Sequence, residues 1–330
     1  MTVITRREFF EKAGTGAAVA GFLAAGGLKL HANPLDLPIG SQTYPHRQRI
    51  VDNDFAGLLK DMKALGIEVI ELCNPTYNEY KNLADGKQTR KILDDNGMKC
   101  ISAHFQMNAL RNDHAKQIEW AQQIGMTQMS TADLGGRVVN GVTSIDEVKR
   151  AADEYNKIGA VAKKAGLQQA LHNEGFCNSK LEDGRLTYPV LLEYLDPDLV
   201  KMQFQMSSMR TVGDPIIYFA NHPGRFISMH LQGVDTTQGM APSRAGQLTV
   251  KPTPEELAAA AEGRGRGGRG GGRGAGGQGG GGGLAVGEDT VDWVKVFTSA
   301  KTAGVKNYFV EQNWELTVKS VAFLKSLKVT

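Results

Sequence analysis

Gly224-Arg-Phe-Ile-Ser-Met-His-Leu231 puts a histidine at the far end of a short run of β-branched and aromatic residues. Such a run reads as a strand, because those side chains fit a pleated, packed surface. Other runs stop in the same way, on a side chain able to hold a metal or move a proton. Lys99–His104 ends Ile-Ser-Ala-His, the run at 167–174 ends Ala-Leu-His-Asn-Glu, 67–71 ends in Glu71, and 307–311 ends Tyr-Phe-Val-Glu. Amphipathic helical segments separate these runs, so the strands should be parallel with their carboxyl ends on one face. That pattern predicts an α/β chain folded as a (β/α)8 TIM barrel, a single domain over residues 38–328, with its site at the C-terminal rim. A chain of 330 residues accommodates one such barrel.

Read in order, the strands fall at 39–44, 67–72, 99–104, 127–131, 167–172, 200–205, 226–231 and 308–311. Helices fall at 54–65, 85–96, 115–124, 144–165, from Asp214-Pro215 onward, and at 290–303 and 315–327. Phe55, Leu58, Leu59, Met62 and Leu65 show the helical spacing clearly. Ser144 reads as a cap, with Asp146 and Glu147 in the first turn and Lys163 and Lys164 in the last, as the helix dipole prefers. Gly66, Gly97, Gly166 and Gly304 each stand between a helix and an apolar run. Glycine accepts the left-handed turn that ends a helix, and its recurrence is the best evidence for a repeating βα unit.

The two ends of the composition differ from the middle. Residues 1–32 carry Arg6, Arg7, Lys12 and Lys29 against Glu8 and Glu11, followed by a weakly apolar run and a small residue at Ala32. This resembles a twin-arginine (Tat) signal peptide, so the expected location is periplasmic or otherwise exported. The apolar stretch is too short and glycine-rich for a comfortable span, so no stable membrane span is expected after signal cleavage. A low-complexity insertion at 251–285 interrupts the barrel after its seventh strand; its alanine-rich start at 251–262 reads as a short helix, and 263–283, nearly all Gly with Arg264, Arg266, Arg269 and Arg273, should be disordered. With a formal net charge of +3 overall, removing these two basic segments leaves a mildly acidic barrel, and no nucleic-acid partner is expected. Cys73, Cys100 and Cys177 lie far apart without disulfide or zinc spacing and read as buried thiols.

The stretches Gly66-Ile-Glu-Val-Ile-Glu-Leu72, Ile101-Ser-Ala-His104, Leu171-His-Asn173, Asp214-Pro215, Pro223-Gly-Arg-Phe226 leading to His230, Val286-Gly-Glu288 with Thr290-Val-Asp-Trp293, and Phe309-Val-Glu-Gln312 carry a resemblance. In order and spacing the chain is similar to the xylose isomerase-like TIM-barrel superfamily, in its sugar phosphate isomerase/epimerase branch. The resemblance implies a divalent ion (Mn, Zn or Mg) held at the rim by hard carboxylate oxygens and an imidazole. Carried over by position, the metal ligands would be His230, Glu311, Gln205 and Glu174. Glu71, Glu174 and Glu311 are the candidate catalytic acids and bases, and His104, His172, Asn173 and Gln203 the candidate substrate contacts.

Three departures stand out. Gln205 occupies the place of the family's Asp, Gln203 stands where another acid is common, and Gln232-Gly233 replaces a Lys-Asp pair after His230. An amide oxygen can ligate an ion but brings no charge, so metal binding should weaken. Without that Lys, a free sugar or glycoside is expected rather than a phosphorylated substrate. The implied activity is a sugar isomerase or epimerase, acting by metal-assisted proton transfer next to a carbonyl. A lyase on 3-keto sugars or glycosides would begin with the same enolate. From a different class, Gln203, Gln205 and Gln232 motivate a non-catalytic carbohydrate-binding barrel with a degenerate metal site. Phosphodiesterase action on abasic DNA is disfavoured, since it calls for more His, Asp and Glu and a basic surface.

Overall fold

The computed structural model describes residues 33–237 and 283–329. The signal-peptide reading and nearly all of the Gly/Arg-rich insertion lie outside the described residues. Eight parallel strands close into a barrel: β1 Gly40–Gln42, β2 Val69–Cys73, β3 Lys99–His104, β4 Gln128–Thr131, β5 Gln168–His172, β6 Val200–Gln205, β7 Phe226–Leu231 and β8 Asn307–Val310. Each strand pairs with the next in the chain, and β8 returns to β1, where Gly40 sits opposite both Phe309 and Val69. The chain is therefore a (β/α)8 barrel, as its alternating pattern predicts.

Strand pleating sorts the side chains. Gln205, His230 and Phe309 occupy matched register positions on β6, β7 and β8, while His172 pairs with Gln203. Side chains alternate along a strand, so these residues share the barrel interior, while Met202, Phe204, Met229 and Leu231 turn outward into the apolar core. The helices covering that core are α1 Phe55–Leu65, α2 Gly86–Asp95, α3 Met107–Ile124, α4 Ile145–Lys164, α5 Thr187–Tyr194, α6 Pro215–Asn221, α7 Trp293–Ala303 and α8 Trp314–Ser326. Ser144 caps α4 by accepting from the Glu147 amide at 3.2 Å, and Asp214 caps α6 through the Ile216 amide at 2.9 Å. Gly66 at φ 89° and Gly304 at φ 81° are left-handed helix ends, with Gly97 and Gly166 following the same rule. None of the described helices is long and apolar enough to cross a membrane, and all three cysteines are buried and free.

Two helices differ from the sequence expectation. Helix α3 starts at Met107, with a break at Asp113 (φ −156°, ψ 62°). The polar run Arg111-Asn-Asp-His114 hides its first half from a periodicity reading. Helix α5 fills the gap left unassigned between the fifth and sixth strands, with Pro189 in its first turn where proline is tolerated. Thr187, Tyr188, Val190, Leu191 and Leu192 are all buried, so no polar stripe marks it. The remaining boundaries move by three residues or fewer, and β3, β6 and β7 have the expected ends.

The segments flanking 238–282 meet at a neck. The Val234 amide donates to Asp289 Oδ2 at 3.0 Å, the Thr236 amide to Thr290 Oγ1 at 2.7 Å, and Gln312 Nε2 to the Leu284 carbonyl at 2.7 Å. A β-carbon on Gly233 would collide with the carbonyl oxygens of Leu284 and Ala285, which are backbone and cannot rotate away. Gly233→Ala is therefore expected to cost about 1–3 kcal/mol, the usual range for overpacking, read from the denaturant midpoint at unchanged slope.

His46, just beyond β1, is buried edge-on against Trp314 with ring centroids 5.6 Å apart, and its Nε2 has no hydrogen-bond partner among the described residues. Burial, helped by Arg49, pushes its pKa down to about 4 from an ordinary 6.5. Between those values the unfolded chain takes up the proton first, so stability falls as pH drops through that window. The loss integrates to roughly 3 kcal/mol. His46→Phe, which keeps the ring contact, is expected to flatten that part of the stability–pH curve, measured by urea unfolding at pH 7, 5.5 and 4.

Candidate active site

The strand ends meet as the sequence pattern requires. Glu71 comes from β2, His104 closes β3, His172 closes β5, Gln203 and Gln205 come from β6, His230 from β7, and Glu311 is the first residue past β8. Two register slips precede site residues, between Ile70 and Glu71 on β2 and between Met202 and Gln203 on β6. A slip of this kind re-aims the following side chain, here toward the cavity.

Glu71 is the hub. It is wholly buried; its Oε1 lies 2.5 Å from His230 Nε2, 3.2 Å from His104 Nε2 and 3.4 Å from Gln42 Nε2, and its Oε2 accepts from Gln203 Nε2 at 2.8 Å. Gln203 Oε1 accepts from His104 Nε2 at 2.9 Å and from Ser130 Oγ at 3.1 Å. Gln203 therefore ties β6 to β2, β3 and β4 from inside the barrel.

His230 bridges two carboxylates, with Nδ1 lying 3.2 Å from Glu311 Oε2. Carboxylates only accept, so an imidazole bonding both must carry a proton on each nitrogen. The electrostatics agree. Burial alone would lower its pKa, but Glu71 and Glu311 outweigh burial and push it up to about 10. Burial opposes ionisation of Glu71 and Glu311 too, yet the neighbouring His104 and His230 hold Glu71 well below the usual carboxylate range, and His230 chiefly holds Glu311 down. His104 is likewise raised, because Glu71 overcomes the effect of burial. His172 goes the other way. Burial, then the charges of His230 and His104, depress it well below its ordinary value and leave a neutral ring.

Glu311 is held by one oxygen. Its Oε2 meets Gln205 Nε2 at 2.8 Å and Gln232 Nε2 at 3.0 Å as well as the His230 nitrogen. None of the hydrogen bonds among the described residues ties down Oε1. Two of the three glutamines singled out in the sequence, Gln205 and Gln232, thus converge on the same carboxylate oxygen.

His104, His172 and His230 pack ring to ring, with centroids 4.4 Å apart for His172 and His230, 5.0 Å for His104 and His172, and 5.3 Å for His104 and His230. One nitrogen from each lies within 4.8 Å of the others. His172 Nδ1 and Nε2, Gln205 Oε1 and Asn173 Nδ2 are buried without hydrogen-bond partners among the described residues. An imidazole denied both partners is costly to bury, and a divalent ion is a group that would complete it. The residues present therefore fit a metal ion.

Of the sequence-predicted residues, Glu71, His104, His172, Gln203, Gln205, His230 and Glu311 form this one cluster. Asn173 adjoins it, its Oδ1 accepting from the Gln205 amide at 2.8 Å. Glu174 stands at the edge, its side chain 60% exposed and its carboxylate 4.0 Å from His172 Nε2. Its pKa is raised, by desolvation first and by the Glu311 charge second. The sequence reading missed Gln42 and Ser130. Gln42 shares the register level of Glu71 on the adjacent strand, a signal visible only after strands are aligned.

No protein-family profile matches the chain, and no curated protein matches it. Solved structures do. A sugar phosphate isomerase/epimerase from Parabacteroides distasonis superposes with TM-score 0.64 at 18% identity, covering 88% of this chain and 94% of its own. The probable 3-DHS dehydratase involved in petrobactin synthesis from Bacillus anthracis gives TM-score 0.59 at 11% identity, over 88% of this chain and all (100%) of its own. An IolI protein with a bound zinc atom gives TM-score 0.56 at 11% identity, over 88% and 94%. At these identities the likeness establishes the shared barrel.

Proposed function

We propose that the chain is an enzyme acting on a small carbohydrate, an isomerase or epimerase that moves a proton next to a carbonyl. The observation that carries this reading is Glu311. Three donors grip one of its oxygens, and none of the hydrogen bonds among the described residues holds the other. A carboxylate so fixed is a preorganised base, ionised near neutral pH and unable to swing away from a bound substrate.

Glu311 Oε1 takes the proton from the carbon beside the carbonyl. Glu174, at the edge with its raised pKa, returns a proton to the neighbouring carbon or to the other face. Asn173 Nδ2 and the rings of His172 and His104 present polar edges to sugar hydroxyls. Both oxygens of Glu71 are taken by His230, His104, Gln203 and Gln42, so in this reading it orients His230 and His104 instead of exchanging protons. A divalent ion, bound at the imidazoles, would polarise the carbonyl and stabilise the enediolate charge.

The dehydratase of the same fold supports a second reading, elimination from a 3-keto sugar. Both readings begin with removal of the same kind of proton. The location outside the cytoplasm stays a proposal resting on the paired Arg6-Arg7 and the apolar run behind them. The test is incubation of the zinc-supplemented protein in D₂O with a panel of aldoses, ketoses and 3-keto glycosides, followed by NMR. Deuterium entering the carbon beside a carbonyl supports the proposal, with product identity separating isomerase from lyase. Sugars that bind without any exchange would leave a carbohydrate-binding barrel in its place.

A further inference from the structure

We infer that a cavity between the loop after β2 and helix α3 is a second ligand site, which takes a small hydroxylated carboxylate such as a sugar acid. It is separate from the strand-end cluster, and it stands whether or not that cluster moves protons.

The cavity has a volume of about 380 Å³, and its walls come from the chain at 74–76, from Ala84, and from α3 between Lys116 and Gln123. That size lies within the ~300–1,000 Å³ usual for small-molecule sites. Its floor is polar where the helix pattern calls for an apolar contact. Gln117 stands with Ile118, Trp120, Ala121 and Ile124 among the buried residues of α3, and it meets Asn74, which is wholly buried.

The direction of the hydrogen bonds fixes what this floor offers. The Thr76 backbone amide can only donate, and it reaches Asn74 Oδ1 at 3.2 Å, with the Thr76 hydroxyl on the same oxygen at 2.5 Å. Asn74 must therefore turn Nδ2 to Gln117, and Gln117 must answer with Oε1. Gln117 Nε2 is left over. None of the hydrogen bonds among the described residues uses it, so the floor presents a donor in need of an acceptor. Lys116, the one cation among the lining residues, makes an anionic acceptor the better match.

At the exposed mouth the chemistry reverses. Thr76 has committed its hydroxyl proton to Asn74, and Glu119, which accepts from Gln123 Nε2 at 3.0 Å, can only accept. Such oxygens suit hydroxyl groups. Trp120 supplies a rigid apolar wall, its Nε1 donating to the Leu83 carbonyl at 2.9 Å and its ring edge-on to Phe105 at 5.9 Å. A carboxylate toward Gln117 and Lys116, with hydroxyls toward Thr76 and Glu119, satisfies both sets at once. A neutral sugar leaves Lys116 unanswered, and a bare carboxylate leaves Thr76 and Glu119 so. The site backs onto the candidate active site, since the Asn74 amide donates to the His104 carbonyl at 2.8 Å, but no side chain of the strand-end cluster lines it.

The experiment titrates the full-length protein with D-gluconate, D-glucose and acetate by calorimetry, with Lys116→Gln, Gln117→Leu and Glu311→Gln variants alongside. Gluconate should bind at least about tenfold more tightly than glucose or acetate, the worth of one hydrogen bond to a charged group. Gln117→Leu should weaken gluconate by about the same factor, and Lys116→Gln, a surface change, by several-fold. Glu311→Gln should leave it within about twofold, because that carboxylate lies outside the cavity. Lys116→Gln keeps the test decisive if Gln117→Leu fails to fold. Equal affinity for the three probes, no saturable binding of gluconate, or a loss that follows Glu311→Gln and spares Lys116→Gln would each overturn the inference. The last result would put the acid at the strand-end cluster instead. Deuterium exchange enters none of these measurements, so failure of the proposed activity leaves them untouched.

Discussion

Glu71→Ala is expected to destabilise the barrel by about 3–5 kcal/mol, the usual result of removing one partner from a buried charge pair. The carboxylate is fully buried and serves His230, His104, Gln203 and Gln42 together. Removing it leaves His230 with only Glu311, and frees the Gln203 amide and the His104 N–H from an acceptor they share. The effect should depend on pH with a definite sign. His230 has a folded pKa of about 10, above its ordinary 6.5, so its contribution is complete below the ordinary value and is lost as pH rises toward the folded one. Glu71 is lowered, so its contribution is complete above the ordinary carboxylate value of 4.5 and is lost as pH falls below it. The penalty in the variant should accordingly be greatest between pH 4.5 and 6.5 and shrink toward pH 10. Urea unfolding of ion-free wild type and variant across that range reads it. A uniform penalty would mean that Glu71 acts through packing alone.

Glu311→Gln is expected to slow deuterium exchange into the responsive sugar by about 10²–10⁴-fold, the span usually attributed to a positioned general base. Stability should fall by less than in Glu71→Ala, since a charge beside buried His230 is lost but an acceptor stays. The amide is nearly isosteric, and its carbonyl oxygen can still accept from Gln205 and Gln232. Because those bonds persist, the loss should appear in kcat with KM nearly unchanged, as for an interaction made only in the transition state. A comparable loss from Glu174→Gln alone, with Glu311→Gln active, would exchange the two roles.

These effects are written into the chain to different depths. Runs such as Lys99–His104, which follows a helix ended at Gly97 and closes on His104, announce both a strand and its useful end, because helix periodicity and the left-handed turn are local properties. Helix α5 escaped because it is short and covered on several sides, which erases the polar stripe that periodicity reads. The convergence of Gln205 and Gln232 on Glu311 was equally invisible. Each looked like the loss of a charged family residue, and only the 2.8 Å and 3.0 Å contacts reveal a shared acceptor.

The sequence by itself determined a parallel barrel and the roster of polar residues at its strand ends, since pleat, helix spacing and chain direction together put every such end on one face. Tertiary structure decided which of them meet. Register brought Gln205, His230 and Phe309 level, buried Glu71 beneath two imidazoles, and left Glu174 at the edge. The reason is physical. Interactions across a barrel depend on stagger between strands far apart in the chain, and on which side chain wins a contested carboxylate, quantities that no local spacing encodes.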